Sequence, residues 1–244
     1  MIVIPMAGIS QRFTAAGYSV PKYMLPLHGR PVFDYATSSF RRYYEDELFV
    51  FVCRDVLDTA QFVRDRAEAL GIGRSIVVTL DGVTSGQADT VVRGLEAVDV
   101  EPGALTIFNI DSFRANYIHA PMEAAGLLEV FRGHGDGWSF VQLAENGAVV
   151  RVEEKNRISD LCCTGLYRFV DCEQFLQAYF AERKSPSQII GESYIAPCYN
   201  QIIQSGMPVV ADIIDKRDVV FCGVPEEYVA LRSSTEWLDR LGGC

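Results

Sequence analysis

The sequence has no run of about 18 apolar residues, the length that a helix needs to cross a membrane. It also has no basic and apolar leader of the kind that directs secretion. Cations are scarce, because 22 Lys and Arg face 32 Asp and Glu and the formal net charge is −10. Such a chain offers no basic stripe to displace counterions from nucleic acid. We therefore expect a cytoplasmic protein that binds neither membranes nor nucleic acid.

Motifs built on cysteine or histidine are lacking as well. The seven cysteines include no Cys-x-x-Cys pair, and most of them lie inside apolar runs. We expect reduced core residues, with Cys244 exposed, rather than zinc ligands or disulfides. The three histidines share no motif, so none is assigned as a base or a ligand.

What the sequence does have is a regular alternation of strand and helix patterns. Apolar runs of strand length cover residues 2–4, 48–53, 75–80 and 105–110. Segments with helical spacing lie between them, at 31–44, 56–70 and 90–98. The alternation predicts an α/β protein with a doubly wound, mostly parallel sheet. Its 244 residues suffice for one large domain or two small ones.

The second half of the chain has a different sequence pattern. Residues 117–138 look irregular, and an Asn146-Gly147 turn joins strands predicted at 138–143 and 148–153. Helices are predicted at 171–182 and 194–205, and a helix pair over 227–240 closes the chain. Asp171 and Gln174 have the spacing of a capping box. The first of these helices is expected to bury Phe175, Leu176, Tyr179 and Phe180.

The loop after the first strand carries the first functional signal. Gly8, with the small residues Ala7 and Ser10, lets backbone N–H groups approach an anion closely. Arg12 and Lys22 add two cations suited to the oxygens of a polyphosphate. The alternative is an ordinary turn with surface charges, and the loop alone leaves both interpretations open.

A carboxylate at the end of the strand at 105–110 carries the second signal. Asp111 is placed where ligands of parallel sheets bind, and a carboxylate there is able to hold Mg²⁺ against phosphate oxygens. The alternative is a helix N-cap for the segment that follows. The residues by themselves favour neither.

Residues 2–31, IVIPMAGISQRFTAAGYSVPKYMLPLHGRP, resemble the signature of the sugar-1-phosphate nucleotidyltransferases, or nucleoside-diphosphate-sugar pyrophosphorylases. That signature is a strand, a Gly-rich loop, Arg-Phe, Pro-Lys and Gly-x-Pro. A second cluster follows in the family's order, with Trp-Ser-Phe at 138–140, Asn-Gly at 146–147, Glu-Lys at 154–155 and Thr-Gly-Leu-Tyr at 164–167. The resemblance implies a Rossmann-like, glycosyltransferase-A-like fold with a small antiparallel sugar-binding part. It implies one domain over 1–244, with a nucleotide-binding half at 1–115 and a sugar-phosphate half at 116–244.

The resemblance also implies the reaction and the residues that perform it. An NMP group passes from an NTP to a sugar 1-phosphate and pyrophosphate leaves, for polysaccharide or cell-surface glycan synthesis. The catalytic residues would be Arg12, Lys22 and Asp111, with Mg²⁺ on Asp111. Nucleotide binding would fall to Ala7, Gly8, Ser10, Asp81, Gly86 and Gln87, and sugar-phosphate binding to Glu154, Lys155 and Gly165. Tyr194 is either part of the sugar pocket or a packed aromatic.

Several alternatives remain at this point. The segment around Gly86 is equally well explained as a loop that caps the next helix, and the segment at 153–155 as a solvated hairpin end. We expect the amino-terminal loop, Asp111 and Lys155 to converge on a common cavity. The base, the sugar and any homo-oligomer are left undetermined.

Two positions depart from the family pattern. Ser10 replaces a second glycine of the loop, and Phe221 replaces an Asp that serves as the second metal ligand. Either Mg²⁺ is held by Asp111, water and phosphates, or an acid substitutes, or catalysis is weakened. The candidate acids are Asp215, Asp218 and Glu226. A nucleotide-sugar-dependent glycosyltransferase and a non-catalytic nucleotide-sugar binding protein therefore stay open as alternatives.

Overall fold

The computed structural model describes residues 1–100, 102–184 and 192–241. These residues form two compact units. Unit 1 contains Met1–Val3, Thr84–Phe108 and Ala120–Lys216, and unit 2 contains Ile4–Val83, Asn109–His119 and Arg217 onward. Cys244 lies outside the described residues. No helix within the described ranges combines the length and the apolar character that crossing a bilayer requires.

The strands are β1 (Ile2–Pro5), β2 (Pro26–Leu27), β3 (Arg30–Pro31), β4 (Phe49–Arg54), β5 (Ser75–Leu80), β6 (Leu105–Phe108), β7 (Ser112–Arg114), β8 (Gly126–Arg132), β9 (Ser139–Leu143), β10 (Val149–Glu154), β11 (Leu161–Phe169), β12 (Val209–Ile214) and β13 (Val219–Phe221). The helices are α1 (Gln11–Ala15), α2 (Val32–Ser38), α3 (Thr59–Leu70), α4 (Gln87–Glu96), α5 (Cys172–Glu182), α6 (Cys198–Gln204), α7 (Pro225–Ser233) and α8 (Glu236–Arg240).

Unit 1 is built on a mixed sheet. Its strand order is β10-β9-β11-β6-β1, and β8 pairs with both β11 and β12. The pairs β1–β6 and β8–β12 are parallel, whereas β11 runs antiparallel to β6, β8 and β9. Every residue of β11 is buried, as expected of a central strand whose two faces are both covered. The register of β11 against β8 shifts between Cys163 and Tyr167, and Gly165 lies in this irregularity with a φ of 94°.

Unit 2 contains the other parallel strands. β4 and β5 pair in parallel, and the end of β1 is bonded to β4 where the Met6 N–H donates to the Val52 carbonyl at 2.8 Å. The first five residues of β4 are buried, which explains its continuous apolar run. α3 ends as predicted at Gly71, whose φ of 78° gives the left-handed conformation of a helix C-cap. Two short antiparallel pairs, β2–β3 and β7–β13, complete the unit.

The predicted fold class is confirmed, but four local predictions are wrong. Residues 117–138 are not all irregular, since β8 lies among them and buries its apolar side chains. The helix predicted at 31–44 ends at Ser38, and a 3-10 turn follows it. α6 begins at Cys198 because Pro197 occupies its N-cap. Phe180 is 49% exposed rather than buried.

The other predicted helices and strands are present, but α4 covers Gln87–Glu96 rather than 90–98, α3 begins at Thr59, and Leu176 is only half-buried. The Asp171 carboxylate accepts a hydrogen bond from the Gln174 N–H at 2.7 Å and so caps α5. The six cysteines of the described residues are buried and free. Burial raises the pKa of Cys53 and of Cys172 to about 11, so these thiols stay protonated at neutral pH.

Candidate functional site

The last residue of β4, Arg54, holds the loop that follows β1. The Arg54 Nε atom donates a hydrogen bond to the Ala7 carbonyl at 2.8 Å. Gly8 is exposed, and a Cβ atom added to it would meet no atom within 4 Å. The loop is therefore fixed at Ala7, while its backbone at Gly8 is open. Arg54 was not predicted, although a charged residue that ends a buried strand is a usable signal.

Ser10 keeps the loop in the shape that a glycine would favour. Its φ of 51° and ψ of 35° are left-handed, a region that costs a residue with a Cβ about 1–2 kcal/mol. The Ser10 carbonyl accepts from the Thr14 N–H at 3.1 Å, and the Ser10 hydroxyl accepts from the Lys22 N–H at 3.4 Å. Ser10 thus adopts a conformation that glycine reaches without strain, and its hydroxyl adds a contact to the Lys22 backbone.

Arg12 lies in the first turn of α1 and is exposed. Its neighbour Phe13 anchors the helix, since that ring is 1% exposed and packs against Tyr18 and Tyr228. Among the residues that the structure describes, none forms an ion pair or a side-chain hydrogen bond with the Arg12 guanidinium. The helix is therefore fixed while its cation remains available to a ligand.

Lys22 and Asp111 come together in unit 2. The Lys22 ammonium donates to the Asp111 Oδ2 atom, and the side chains are 22% and 20% exposed. The strand β7 begins directly after Asp111, so the helix N-cap interpretation of this carboxylate is wrong. A partly exposed carboxylate beside a lysine is a suitable anchor for a phosphate-bound cation.

Glu227 is a carboxylate near Asp111 that sequence reasoning missed. A Cβ atom added to Gly223 would lie 3.2 Å from Asp111 Oδ2 and 3.7 Å from Glu227 Oε2. The Glu227 carboxylate accepts a hydrogen bond from the Gly223 N–H at 2.8 Å, while Glu226 is exposed. Phe221, which stands where the family has an acid, lies in β13 and pairs with Ser112 of β7. The signal for Glu227 was its place three residues after Val224, where an acid caps a helix.

The predicted base-binding segment lies at the start of α4 in unit 1. Gly86 has a φ of 146°, and a Cβ atom added to it would lie 2.4 Å from the Ser193 backbone nitrogen and oxygen. The Ser193 N–H donates to the Ser85 carbonyl at 2.7 Å, and the Ala88 N–H donates to the Ser193 carbonyl at 2.9 Å. Gln87 is the first residue of the helix. Ser193 therefore determines the backbone shape of this segment, a role that no local pattern indicated.

This contact leads to a prediction for stability. We expect Gly86→Ala to lower the free energy of unfolding by about 3 kcal/mol, because the methyl group overlaps the Ser193 backbone and the φ is unfavourable. Denaturant unfolding measures the change. Gly8→Ala is the matched control, since its methyl group meets nothing, and equal stability of the two variants would contradict the assignment.

The predicted sugar-phosphate residues form a second cluster in unit 1. The Lys155 ammonium donates to the Tyr194 hydroxyl and lies 4.4 Å from the centre of its ring. The Tyr194 hydroxyl in turn donates to the Glu192 carboxylate. The Glu154 carboxylate accepts from the Ser139 hydroxyl, and burial raises the pKa of Glu154. The structure thus brings the Lys155 ammonium together with the Glu154 carboxylate, 4.0 Å away, and with the Tyr194 hydroxyl.

Two further predicted residues are each described by their own element. Gly165 lies in the irregularity of β11, and Asp81 is exposed just after β5 in unit 2. Within the described residues, no three His, Cys, Asp or Glu side chains gather as a complete metal site. The roles of the individual site residues stay predictions.

Comparison with solved structures assigns the family. The nucleoside-diphosphate-sugar pyrophosphorylase from Vibrio cholerae RC9 is 46% identical, with a TM-score of 0.92 over 96% of this chain and 100% of that one. The inositol-1-phosphate CTP transferase from T. maritima is 17% identical, with a TM-score of 0.74 over 96% of each chain. A UDP-glucose pyrophosphorylase complexed with UDP-glucose is 13% identical, with a TM-score of 0.70 over 95% of this chain and 96% of that one.

No protein-family model and no curated protein matches the chain. The match to the Vibrio cholerae enzyme confirms the resemblance predicted from the two motif clusters, because it spans nearly the whole of both chains. The chain therefore belongs to the nucleoside-diphosphate-sugar pyrophosphorylase family of nucleotidyltransferases.

Proposed function

We propose that this protein transfers an NMP group from an NTP to a sugar 1-phosphate and releases pyrophosphate. The observation that carries the proposal is the arrangement of three features in unit 2. They are the anchored glycine loop, the Lys22–Asp111 pair, and Arg12, which has no ion-pair partner within the described residues. A sugar-1-phosphate oxygen attacks the α-phosphorus of the NTP. The oxygen is already an anion at neutral pH, so no side-chain base is required. The protein contributes positioning and charge neutralisation.

The loop residues act on the phosphates of the nucleotide. The loop backbone at Ala7, Gly8 and Ser10 binds the phosphate oxygens, and the open position is Gly8. Arg12 stabilises the departing pyrophosphate with its planar fork of donors, and Lys22 holds the phosphates in line. Asp81, Gly86 and Gln87 contact the nucleoside.

The donor set around Asp111 fits Mg²⁺. Mg²⁺ is usually bound through one or two carboxylates together with water and substrate phosphates, and Asp111 supplies a partly exposed carboxylate of this kind. The Glu227 carboxylate, like that of Asp111, lies within 4 Å of the position that a Cβ atom on Gly223 would take, and it offers a second oxygen donor. When bound, the cation neutralises charge on the phosphate oxygens. The loss of the family's Asp at Phe221 is then compatible with catalysis.

Glu154, Lys155 and Gly165 bind the second substrate. Lys155 pairs with the sugar phosphate, Glu154 accepts hydrogen bonds from sugar hydroxyls, and the backbone at Gly165 approaches the sugar. We place the activity in the cytoplasm, where a reduced set of cysteines persists, and in polysaccharide or cell-surface glycan synthesis. Homo-oligomers are compatible with this function.

A single assay separates the proposed function from its two rivals. The pure protein is incubated with each NTP, a panel of sugar 1-phosphates and Mg²⁺. Pyrophosphate release with a nucleotide sugar as product supports the proposal. A nucleoside diphosphate formed from a nucleotide sugar indicates a glycosyltransferase instead. A thermal shift without any product indicates a binding protein.

Gly8→Ala tests the glycine loop. The added methyl group meets no protein atom, so we expect unchanged thermal stability. It enters the space proposed for the phosphates, so we expect the KM for the NTP to rise at least about tenfold. Steady-state kinetics and thermal unfolding measure the two effects. An unchanged KM would remove the loop from the phosphate site.

Lys155→Met tests the second cluster. We expect the KM for the sugar 1-phosphate to rise about a hundredfold, because a charge-assisted contact to the phosphate is lost. The KM for the NTP should change little. Tyr194→Phe removes only the hydroxyl that positions Lys155, and we expect a smaller rise in the same constant. A rise confined to the KM for the NTP would contradict the assignment of Lys155 to the sugar phosphate.

A further inference from the structure

One segment of unit 1 contacts both of the predicted substrate clusters. It consists of residues 193–200, the bridge, and runs from Ser193 into the first turn of α6. Ser193 forms two backbone hydrogen bonds with the segment around Gly86. The next residue, Tyr194, accepts a hydrogen bond from the Lys155 ammonium. Two adjacent residues of the bridge therefore hold the predicted base-binding backbone and the predicted sugar-phosphate lysine.

The interior of the bridge is packed into the unit. Four of its residues are at most 1% exposed, namely Ile195, Ala196, Cys198 and Tyr199. The Tyr199 hydroxyl lies 2.9 Å from the Leu127 carbonyl of β8 and 2.9 Å from the Arg168 carbonyl of β11, so it is bonded to the central strands. Closely packed interiors transmit strain instead of absorbing it. A displacement at one end of the bridge is therefore expected to reach the other end.

Asn200, the last residue of the bridge, holds the strand that carries Glu154. β10 is the terminal strand of its sheet and is paired with β9 on one side. The Asn200 Oδ1 atom accepts from the Val152 N–H at 2.9 Å, and its Nδ2 atom donates to the Val152 carbonyl at 2.7 Å. One carboxamide thus supplies both bonds that a further strand would give to this residue. Asn200 therefore fixes β10 two residues before Glu154.

The backbone of Lys155 depends on such supports. Its φ of 54° is left-handed, which costs a residue with a Cβ about 1–2 kcal/mol. The Lys155 N–H donates to the Trp138 carbonyl at 2.9 Å, and the ammonium donates to the Tyr194 hydroxyl. A strained conformation persists only while the surrounding structure holds it. The position of the ammonium is therefore expected to follow β10 and the bridge.

We propose that the bridge couples the segment around Gly86 to Lys155, and that Asn200 is the positioning residue through which it acts on β10. A nucleotide that orders the Gly86 segment then also orders Lys155, and a ligand on Lys155 favours the nucleotide by the same factor. The coupling itself is a property of unit 1. Its effect on the two substrates rests on the proposed function.

Hydrogen exchange of the full chain without ligands tests the coupling. Gly86→Ala pushes against the Ser193 backbone, so we expect exchange of the Lys155 amide to rise about tenfold relative to the amides of β6. In Asn200→Ala that amide should already exchange faster, and adding Gly86→Ala should change it little further. Unchanged exchange at Lys155 in Gly86→Ala, or an equal increase with and without Asn200, would overturn the proposal.

Kinetics test the role of Asn200 with a variant that leaves Gly86 intact. With the sugar 1-phosphate that reacts fastest, Asn200→Ala should raise the KM for that substrate about tenfold. The Kd of the NTP, titrated without the sugar phosphate, should stay unchanged. Gln201→Met is the matched control, because it removes the neighbouring carboxamide, which bonds to Glu182 at 2.8 Å, and it should leave both constants unchanged.

The outcomes separate positioning from a general loss of structure. An equal rise of both constants in Asn200→Ala, or the same rise of the KM in Gln201→Met, overturns the positioning role. If the unaltered protein releases no pyrophosphate, the proposed function fails, and hydrogen exchange alone decides whether the bridge couples the two segments.

Discussion

Arg12→Ala is expected to lower kcat for pyrophosphate release by about a thousandfold, a loss typical of removing a cation that stabilises a leaving phosphate. The side chain is exposed and makes no ion pair with a described residue, so its removal should not change the thermal unfolding midpoint. α1 keeps its anchor, because Phe13 stays packed against Tyr18 and Tyr228. A coupled assay for pyrophosphate gives kcat, and a thermal melt gives the midpoint.

Two variants control this experiment. Arg12→Lys keeps the charge but loses the planar fork, and it should recover only part of the rate. Arg64→Ala removes another exposed arginine of the same unit and should be fully active. Near-normal pyrophosphate release from Arg12→Ala would remove the proposed mechanism, whatever the other variants do.

The second large effect is expected at the pair formed by Lys22 and Asp111. We expect Asp111→Asn and Lys22→Met each to lower kcat/KM by about two to three orders of magnitude. The reasons differ. The amide is a poor ligand for Mg²⁺, whereas the methionine cannot pair with phosphate oxygens.

Dependence on Mg²⁺ distinguishes the two roles. Asp111→Asn should raise the Mg²⁺ concentration that gives half-maximal rate, and Lys22→Met should leave it nearly unchanged. Because the two side chains are hydrogen-bonded, the double variant should lose less than the product of the single losses. A double variant whose loss in kcat/KM equals the product of the single losses, together with identical Mg²⁺ dependence in all three variants, would contradict a carboxylate that carries the metal.

Local patterns predicted much of the fold for a physical reason. β4 is a continuous apolar run because both of its faces are covered, and α3 ends at a glycine because the helix terminates in a left-handed residue. β8 escaped the same analysis. Its apolar run contains Glu129, a fully buried carboxylate that accepts a hydrogen bond from the Thr164 hydroxyl at 2.9 Å. The partner that makes this burial tolerable is 35 positions away in the chain.

The site shows the same division. The glycine loop, Arg12 and Asp111 were predicted as site residues because their order along the chain, read beside the strands that precede them, indicates phosphate chemistry, and their roles stay predictions. Ser193 was not, because it bonds to the backbone of a segment distant in the chain. Arg54 and Glu227 had local signals, the end of a buried strand and a helix-capping position, but neither signal shows which other side chain or loop lies beside it. The convergence of Lys155 with Asp111 on one cavity remains a prediction from the motifs.

The sequence by itself determined the family, the alternation of strands and helices, and the residue types available for binding phosphates. These follow from periodicity and from short motifs, whose physical causes act over a few residues. Only the tertiary structure decided that Lys22 pairs with Asp111, 89 positions away, and that Tyr194 positions Lys155, 39 positions away. It alone also placed the Asn200 carboxamide against the Val152 backbone, 48 positions away. Contacts of this kind depend on how packed elements meet in space, and chain order does not encode that locally.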